Sequence, residues 1–391
     1  MASPTPLDRR PFIDLVHRSV DLGGFFDAVD RTLARVMPFD AACWLSLDPG
    51  TWLPTSHFSR EFGVEHVMQL AVNEYLEADV NKFAGLARDT PPVAILSVAT
   101  GGDLHRSARH ARILAPHGYD GGDELRAVFR DGEAVWGCVA LHRRRGTFHH
   151  EEAALVASVA GHVVEGIRRA ILRNAAAEQH DPDPPGLIIL DADDAVEAVT
   201  PAANRWLQEI FESIAPAAAL PLAVLTVAHQ ARRAGGGQAD DVATAQLPTR
   251  SGGWLRLDAS LLDDDPRGRV AVIVHTARQP EVTNVIVELY GLSSREREVA
   301  RLVLHGRSTR EIADQLHLSG YTVQDHLKAI FGKVGVQSRG QLTAQLFLQQ
   351  AVPRLKAGAP IGADGWFAGP SESADGRRPD QRSREAELIP E

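Results

Sequence analysis

Ser308-Thr309-Arg310-Glu311-Ile312-Ala313-Asp314-Gln315-Leu316-His317-Leu318-Ser319-Gly320-Tyr321-Thr322-Val323-Gln324-Asp325-His326-Leu327-Lys328 reads as two short helices joined by a tight turn. Ser308 and Glu311 stand at the S-x-x-E spacing. There the hydroxyl and the carboxylate each satisfy a backbone N–H that a helix start leaves free. Ile312, Ala313 and Leu316 give the first helix one inward face. His317 to Gly320 forms the turn, and Ser319 is placed to cap the helix that follows. Val323, Leu327, Ile330 and Val334 recur at helical spacing as its buried stripe, and Gly335 ends it. Working outward, Ser293 and Glu296 repeat the S-x-x-E pattern before Val299, Leu302 and Val303, a helix that Gly306 stops. Ser338 caps a fourth helix expected to run to about Gln350.

Two short helices joined by such a turn place the second in the major groove of DNA. Gln324, Asp325 and Lys328 lie off the apolar stripe and share one face. Gln pairs with adenine edges, Lys with guanine or phosphate, and Asp accepts from cytosine N4. Arg339, at the start of the next helix, is placed for a phosphate. His326 adjoins the stripe and reads as a packed, hydrogen-bonded residue. The plainer alternative is a helical hairpin that packs or dimerises on protein.

The series Leu292-x-x-Arg295-Glu296-x-Glu298-Val299, Gly306, Glu311-Ile312-Ala313, Leu318-Ser319, Thr322-Val323-x-x-His326, Ile330, Lys333 and Arg339 resembles the LuxR-type DNA-binding domain over about 65 residues. The resemblance implies an all-α four-helix domain over 285–350, with its helix-turn-helix from Thr309 to Lys328 and dimerisation through the fourth helix. It also implies DNA contacts from Thr309, Thr322, Gln324, Asp325, Lys328, Lys333 and Arg339. Gly320 departs from the polar residue usual at that position. Asp325 puts a negative charge where the family often has a neutral residue.

The rest of the chain bounds the context. It has 391 residues, 41 Lys and Arg, 51 Asp and Glu, and a net charge of −10. A chain this acidic does not coat nucleic acid along its length, but the field that matters is local: residues 288–350 carry eight Arg and Lys against six Asp and Glu. No apolar run is long enough for a membrane span. Met1 to Arg10 lacks the apolar core of a secretory signal. Two cysteines, Cys43 and Cys138, make no disulfide framework. A cytoplasmic protein is expected.

Residues 12–178 form a first block: an amphipathic run from Phe12 to Met37, a strand at Ala41–Leu47, strands at Glu124–Arg130 and Ala134–His142 around an Asp131-Gly132 turn, and a helix over about 151–177. Leu155, Val159, Val163, Ile167 and Ile171 mark that helix every fourth residue. The stripe fits a core or a dimer-forming signalling helix equally. His180 to Gly186 is a Pro-rich linker. Residues 186–279 form a second block, with strands at Leu187–Leu190 and Val196–Val199, a helix from about Ala202 to Ile210, and strands near Thr244–Leu247, Trp254–Leu262 and Arg269–Thr276. Turns fall at Ser251-Gly252-Gly253 and Asp264-Asp265-Pro266. Residues 354–391 lack periodicity and are expected to be disordered. The pattern of the first block resembles a GAF domain, and that of the second a PAS domain with shortened central helices. The expected fold class is thus multidomain: two α+β sensory blocks, then an all-α unit.

No phosphate loop, nucleophile elbow or dinucleotide fingerprint occurs. His105, His110, His117, His149 and His150 are scattered without metal spacing and read as surface residues. Arg143-Arg144-Arg145 reads as a solvated turn. Cys43 and Cys138 fall in apolar strands and read as packed thiols. No enzyme activity, cofactor or metal is expected. The expected partners are double-stranded DNA, a second copy of the chain, RNA polymerase, and a small-molecule effector of the first block. Two alternatives stay open: a sensory scaffold whose last helices bind protein, and a thiol enzyme using Cys43 or Cys138.

Overall fold

The computed structural model describes residues 10–18, 21–62, 64–175, 184–210, 220–235, 243–262, 268–277, 288–304 and 306–343. The linker at 180–183, the turn at 264–266, the fourth helix beyond Thr343 and the tail at 354–391 lie outside the described residues. No helix among those described is long and apolar enough to cross a membrane.

The chain opens with α1 (Arg10–Arg18) and α2 (Leu22–Val36), which divide the amphipathic run in two. Asp21 caps α2 by accepting from Gly24 N–H at 2.7 Å. Strands β1 (Ala41–Leu47) and β2 (Pro54–Arg60) follow. Next come α3 (Val64–Leu76), α4 (Phe83–Leu86), β3 (Val93–Ile95) and α5 (Leu96–Ala99). After a short helical insert, β4 (Gly121–Gly122), β5 (Glu124–Asp131), β6 (Ala134–His142) and β7 (Arg145–Gly146) lead into α6 (His150–Ala175). The second block is β8 (Gly186–Leu190), β9 (Val196–Val199), α7 (Pro201–Gln208), α8 (Leu222–Gly235), β10 (Thr244–Pro248), β11 (Trp254–Leu261) and β12 (Val270–Thr276). Four helices close the described chain: α9 (Ser294–Leu304), α10 (Thr309–Leu316), α11 (Gly320–Val334) and α12 (Arg339–Thr343).

Both upstream blocks are built on a five-stranded sheet in which every pair is antiparallel, ordered β2-β1-β6-β5-β3 and β10-β11-β12-β8-β9. Counted within its own sheet, each runs 2-1-5-4-3, so the opening hairpin of each block lies beside its last strand. Strand β2 and helix α8 carry little periodicity and are not legible in the sequence.

Helix α6 covers one face of the first sheet together with α1 and α2. Leu155, Val159, Val163, Ile167 and Ile171 are all buried there. The stripe that fitted a dimer seam is therefore spent on the chain's own core. Trp44 lies between the Phe26 and Phe129 rings, 5.9 and 5.8 Å away, and its indole donates to Asp30 at 3.0 Å. A side chain at Gly166 would strike the Phe25 ring, so α6 meets α2 closely at that position. The blocks also touch each other. Helix α8 packs on β2 and α3 as well as on its own sheet. Asp48 accepts from Gln246 N–H at 2.8 Å, and Arg168 of α6 donates from Nε to the Leu289 carbonyl at 2.8 Å.

The opposite face of the first sheet holds a buried charge network. Arg109 Nε donates to Glu124 at 2.7 Å, and Arg126 donates to Glu74 at 2.7 Å while its Nε lies 3.2 Å from Glu124. Burial alone would raise the Glu124 carboxyl, but the Arg109 and Arg126 guanidiniums overcome it and hold that group far below the usual range. Arg143 is not solvated as the sequence suggested: it pairs with Glu152 and stacks 4.1 Å from the centre of the Phe148 ring.

Glu124→Gln should cost about 3–5 kcal/mol at neutral pH, because it leaves two buried guanidiniums short of a counter-charge. A depressed carboxyl contributes stability that is fully present above the unfolded value of about 4.3 and is lost as pH falls toward the folded one. The gap between the native chain and the variant in urea unfolding should therefore be widest near pH 7 and narrow below about pH 4. A gap independent of pH would show that the pairing contributes nothing.

Candidate nucleic-acid interface

Helices α9 to α12 form a unit whose geometry follows from its caps. At the start of α9, Ser293 N–H donates to Glu296 at 2.6 Å and Glu296 N–H donates back to the Ser293 hydroxyl at 3.3 Å. At the start of α10, Ser308 and Glu311 repeat this reciprocity at 2.7 and 3.3 Å. Gly306 and Gly335 both sit at φ +76°, the left-handed conformation that lets a chain leave a helix sharply. His317 takes a left-handed φ of +53° to end α10, and Ser319 caps α11 by accepting from Thr322 N–H at 3.0 Å.

Val323, Leu327, Ile330 and Val334 are buried against α9 and α10, with Val299, Ala300, Ile312 and Ala313 among their partners in the core. Burying that stripe turns the other side of α11 outward. Gln324, Asp325 and Lys328 are exposed there. Tyr321, which the sequence reading passed over, joins them at 78% exposure. Positions 321, 324, 325 and 328 follow the i, i+3, i+4, i+7 spacing of one helix face, a signal present in the sequence. Helix α11 has 15 residues, about 22 Å in length, and a helix of ordinary diameter fits a major groove about 12 Å wide.

The predicted contact residues do not all meet. The Thr309 hydroxyl accepts from Gln324 Nε2 and from Arg339 Nη1, each at 3.5 Å, so α10, α11 and α12 converge there. Arg339 also donates to the Arg307 carbonyl at 2.9 Å. Asp325 and Lys328 lie on the same face as Gln324. The Thr322 hydroxyl is turned to Ser319 Oγ at 2.8 Å. Lys333 stands apart, pairing with Glu296 at 2.6 Å and donating to the Gly291 carbonyl at 3.1 Å. Burial raises the Glu296 carboxyl, yet its bonds with Lys333 and Ser293 hold it below the usual range. Three carboxylates of the unit are engaged locally, Glu296 with Lys333, Glu298 with Arg295, and Glu311 with Arg307, whereas Asp325 stands on the exposed face of α11. His326 is half-buried beside the stripe.

The family described as bacterial regulatory proteins, luxR family, matches residues 291–346. Spore germination protein GerE of Bacillus subtilis is 40% identical over 55 residues, which is 14% of this chain and 74% of GerE. The "Probable HTH-type transcriptional regulator GfsR" of Streptomyces halstedii is 31% identical over 173 residues, 44% of this chain and 65% of that regulator. The chain thus spans a little under two thirds of the Streptomyces relative. Among solved structures, the Vibrio cholera VqmA-Ligand-DNA complex shares 17% identity over 43% of this chain and 83% of that one, at a TM-score of 0.21; an overlap this loose carries no inference. The last four described helices are a LuxR-type helix-turn-helix unit, and the chain belongs to the LuxR family of bacterial regulatory proteins.

Ser308→Ala should lower the stability of this unit by about 0.5–2 kcal/mol, the usual cost of losing an N-cap. Val323→Asp should unfold it by burying an unpaired charge. Circular dichroism melts of the two variants should differ accordingly; a folded Val323→Asp variant would contradict the packing described.

Proposed function

We propose that the chain is a sequence-specific regulator of transcription that binds double-stranded DNA through α11, with α10 and α12 set against the phosphate backbone. The observation that carries this reading is the outward face of α11. It presents Tyr321, Gln324, Asp325 and Lys328 opposite a fully buried stripe, beside Arg339 at the Thr309 junction. Gln324 and Lys328 would read base edges, Arg339 and Thr309 would hold phosphates, and Asp325 would select a cytosine or moderate affinity. Lys333 would brace the domain and leave DNA to its neighbours. The protein would act in the cytoplasm as a homodimer paired through the fourth helix, in contact with RNA polymerase.

The upstream blocks, 12–178 and 186–279, would be GAF-like and PAS-like modules that sense an effector and bias the DNA-binding unit at 285–350. Their shared strand order supports that reading, as do the polar groups buried on the insert side of the first sheet. There Tyr119 Oη and both ring nitrogens of His142 are buried without a hydrogen-bond partner. Burial pushes His57 and His142 down to about 4, so both imidazoles are neutral at physiological pH. Neutral donors and acceptors of this kind suit an uncharged polar ligand. The thiol-enzyme alternative needs a thiolate. Burial instead pushes Cys43 up to about 12 and Cys138 well above its ordinary value, so neither is a ready nucleophile.

Binding of the full chain to genomic DNA fragments, followed by fluorescence anisotropy, should weaken steeply between about 50 and 200 mM salt as counterions are released. Lys328→Ala and Arg339→Ala should each reduce the salt slope by about one. Lys333→Ala should leave that slope unchanged and lower the melting temperature. Salt-insensitive binding would favour a helical unit that docks on protein.

On the best-bound site, Gln324→Ala should relax preference at one base pair by about 1–3 kcal/mol. Asp325→Ala should either lose preference for one C·G pair or tighten binding to all sequences. Unchanged binding in all of Gln324→Ala, Asp325→Ala and Lys328→Ala, with the fold intact, would show that α11 does not enter the groove.

A further inference from the structure

The helical insert between α5 and β4 brings together three side chains whose spacing in the sequence marks no metal site. His105 lies in a single helical turn at Leu104–Arg106, and His110 begins the wide turn His110–Leu114. Asp120 lies just before β4. His105 Nε2 is 3.0 Å from Asp120 Oδ1. One nitrogen of each imidazole and one Asp120 oxygen all fall within 4.8 Å of one another. The two imidazole rings are 5.5 Å apart and nearly perpendicular, at 87°.

His110 is the telling member. It is fully buried, and neither ring nitrogen makes a hydrogen bond of normal geometry. A buried imidazole with no well-formed hydrogen bond is costly unless something else supplies a partner. Its backbone is held firmly. Arg109 N–H donates to Asp79 at 2.8 Å, and the Arg109 side chain is locked to Glu124 and to the Val80 carbonyl at 2.7 Å each. His110 N–H donates to the Ser107 hydroxyl at 3.3 Å. The orphaned ring is therefore fixed in place, while its two neighbours reach it from the surface, His105 at 59% and Asp120 at 68% exposure.

We infer that His105, His110 and Asp120 form a binding site for a divalent transition-metal ion of the zinc type. Two imidazoles and one carboxylate suit that class, whereas magnesium and calcium prefer oxygen donors throughout. Ligands about 2.0–2.2 Å from a tetrahedral ion stand roughly 3.3 Å apart, close to the His105–Asp120 separation. An ion there replaces the hydrogen bond between those two groups, gives the buried His110 ring a strong partner, and keeps a fourth position for water. It also ties the exposed end of the insert to the buried charge network of the first sheet.

The test uses the full chain, stripped with a chelator and dialysed, titrated with zinc by calorimetry and with cobalt by visible absorption. One equivalent per chain is expected. His105→Ala and Asp120→Asn, both at exposed positions, should weaken that uptake by about tenfold or more. His149→Ala and His150→Ala, exposed histidines outside the cluster, should leave it unchanged. Absence of stoichiometric uptake overturns the inference, as does uptake weakened less than tenfold in both cluster variants. If either variant misfolds, protection of His105 in the native chain from diethyl pyrocarbonate decides. Zinc-dependent protection supports the site, and equal labelling with and without zinc overturns it.

Discussion

Helix α6 is the element on which the rest of the described chain depends. Its residues at every fourth position fill the space between α1, α2 and the first sheet, where Phe25, Trp44, Phe129 and Trp136 are also buried. The absence of a side chain at Gly166 allows α2 to approach closely enough for that packing. Two residues further, Arg168 leaves the apolar stripe and reaches the Leu289 carbonyl, with Asp131 within 3.4 Å of its guanidinium. A side chain added at Gly291 would collide with that guanidinium. One helix thus organises the first block's core and meets the segment that enters the helix-turn-helix. The Arg168–Leu289 hydrogen bond is a buried contact between α6 and the segment five residues before α9.

The helix-turn-helix solves a different problem, which is how to keep one face of a helix free. A four-residue stripe on α11 is withdrawn into the core, the serine caps satisfy backbone groups at the starts of α9, α10 and α11, and glycines at φ +76° end two of the helices. What remains exposed is short and polar, with Tyr321 its one large ring. The carboxylates at Glu296, Glu298 and Glu311 are each paired with a nearby cation. That pairing reconciles a modest local charge with a surface suited to an anionic partner, because field strength at a surface depends on where the unpaired charges sit.

The two upstream blocks share a strand order while differing in what they enclose. The second sheet packs its Val and Leu residues against α7 and α8. The first carries a charge network and a set of buried imidazoles on the side facing its helical insert. Buried ionic groups are expensive to desolvate and are kept only with full compensation. Arg109, Glu124, Arg126 and Glu74 compensate one another, and His142 borders the network, its Nδ1 4.0 Å from Glu124.

The sequence by itself determined the elements whose signal is local. Capping pairs, helix-stopping glycines and apolar spacing mark α9 to α11 because each depends on residues within one or two turns. The same holds for β1, β5, β6 and the long helix α6. Gln324, Asp325 and Lys328 could be placed on one face for the same reason. Tertiary structure alone decided the rest, where the governing contacts are far apart in the chain. Strand β2 and helix α8 are defined by what they pack against. Lys333, expected at the DNA surface, also pairs with Glu296, 37 residues away, a contact that no local pattern records. Arg143 reads as solvated until Glu152 and Phe148 enclose it. His105, His110 and Asp120 have no recognisable spacing, because ligand geometry is set by where a folded insert places side chains in space, and periodicity records only which way each residue faces.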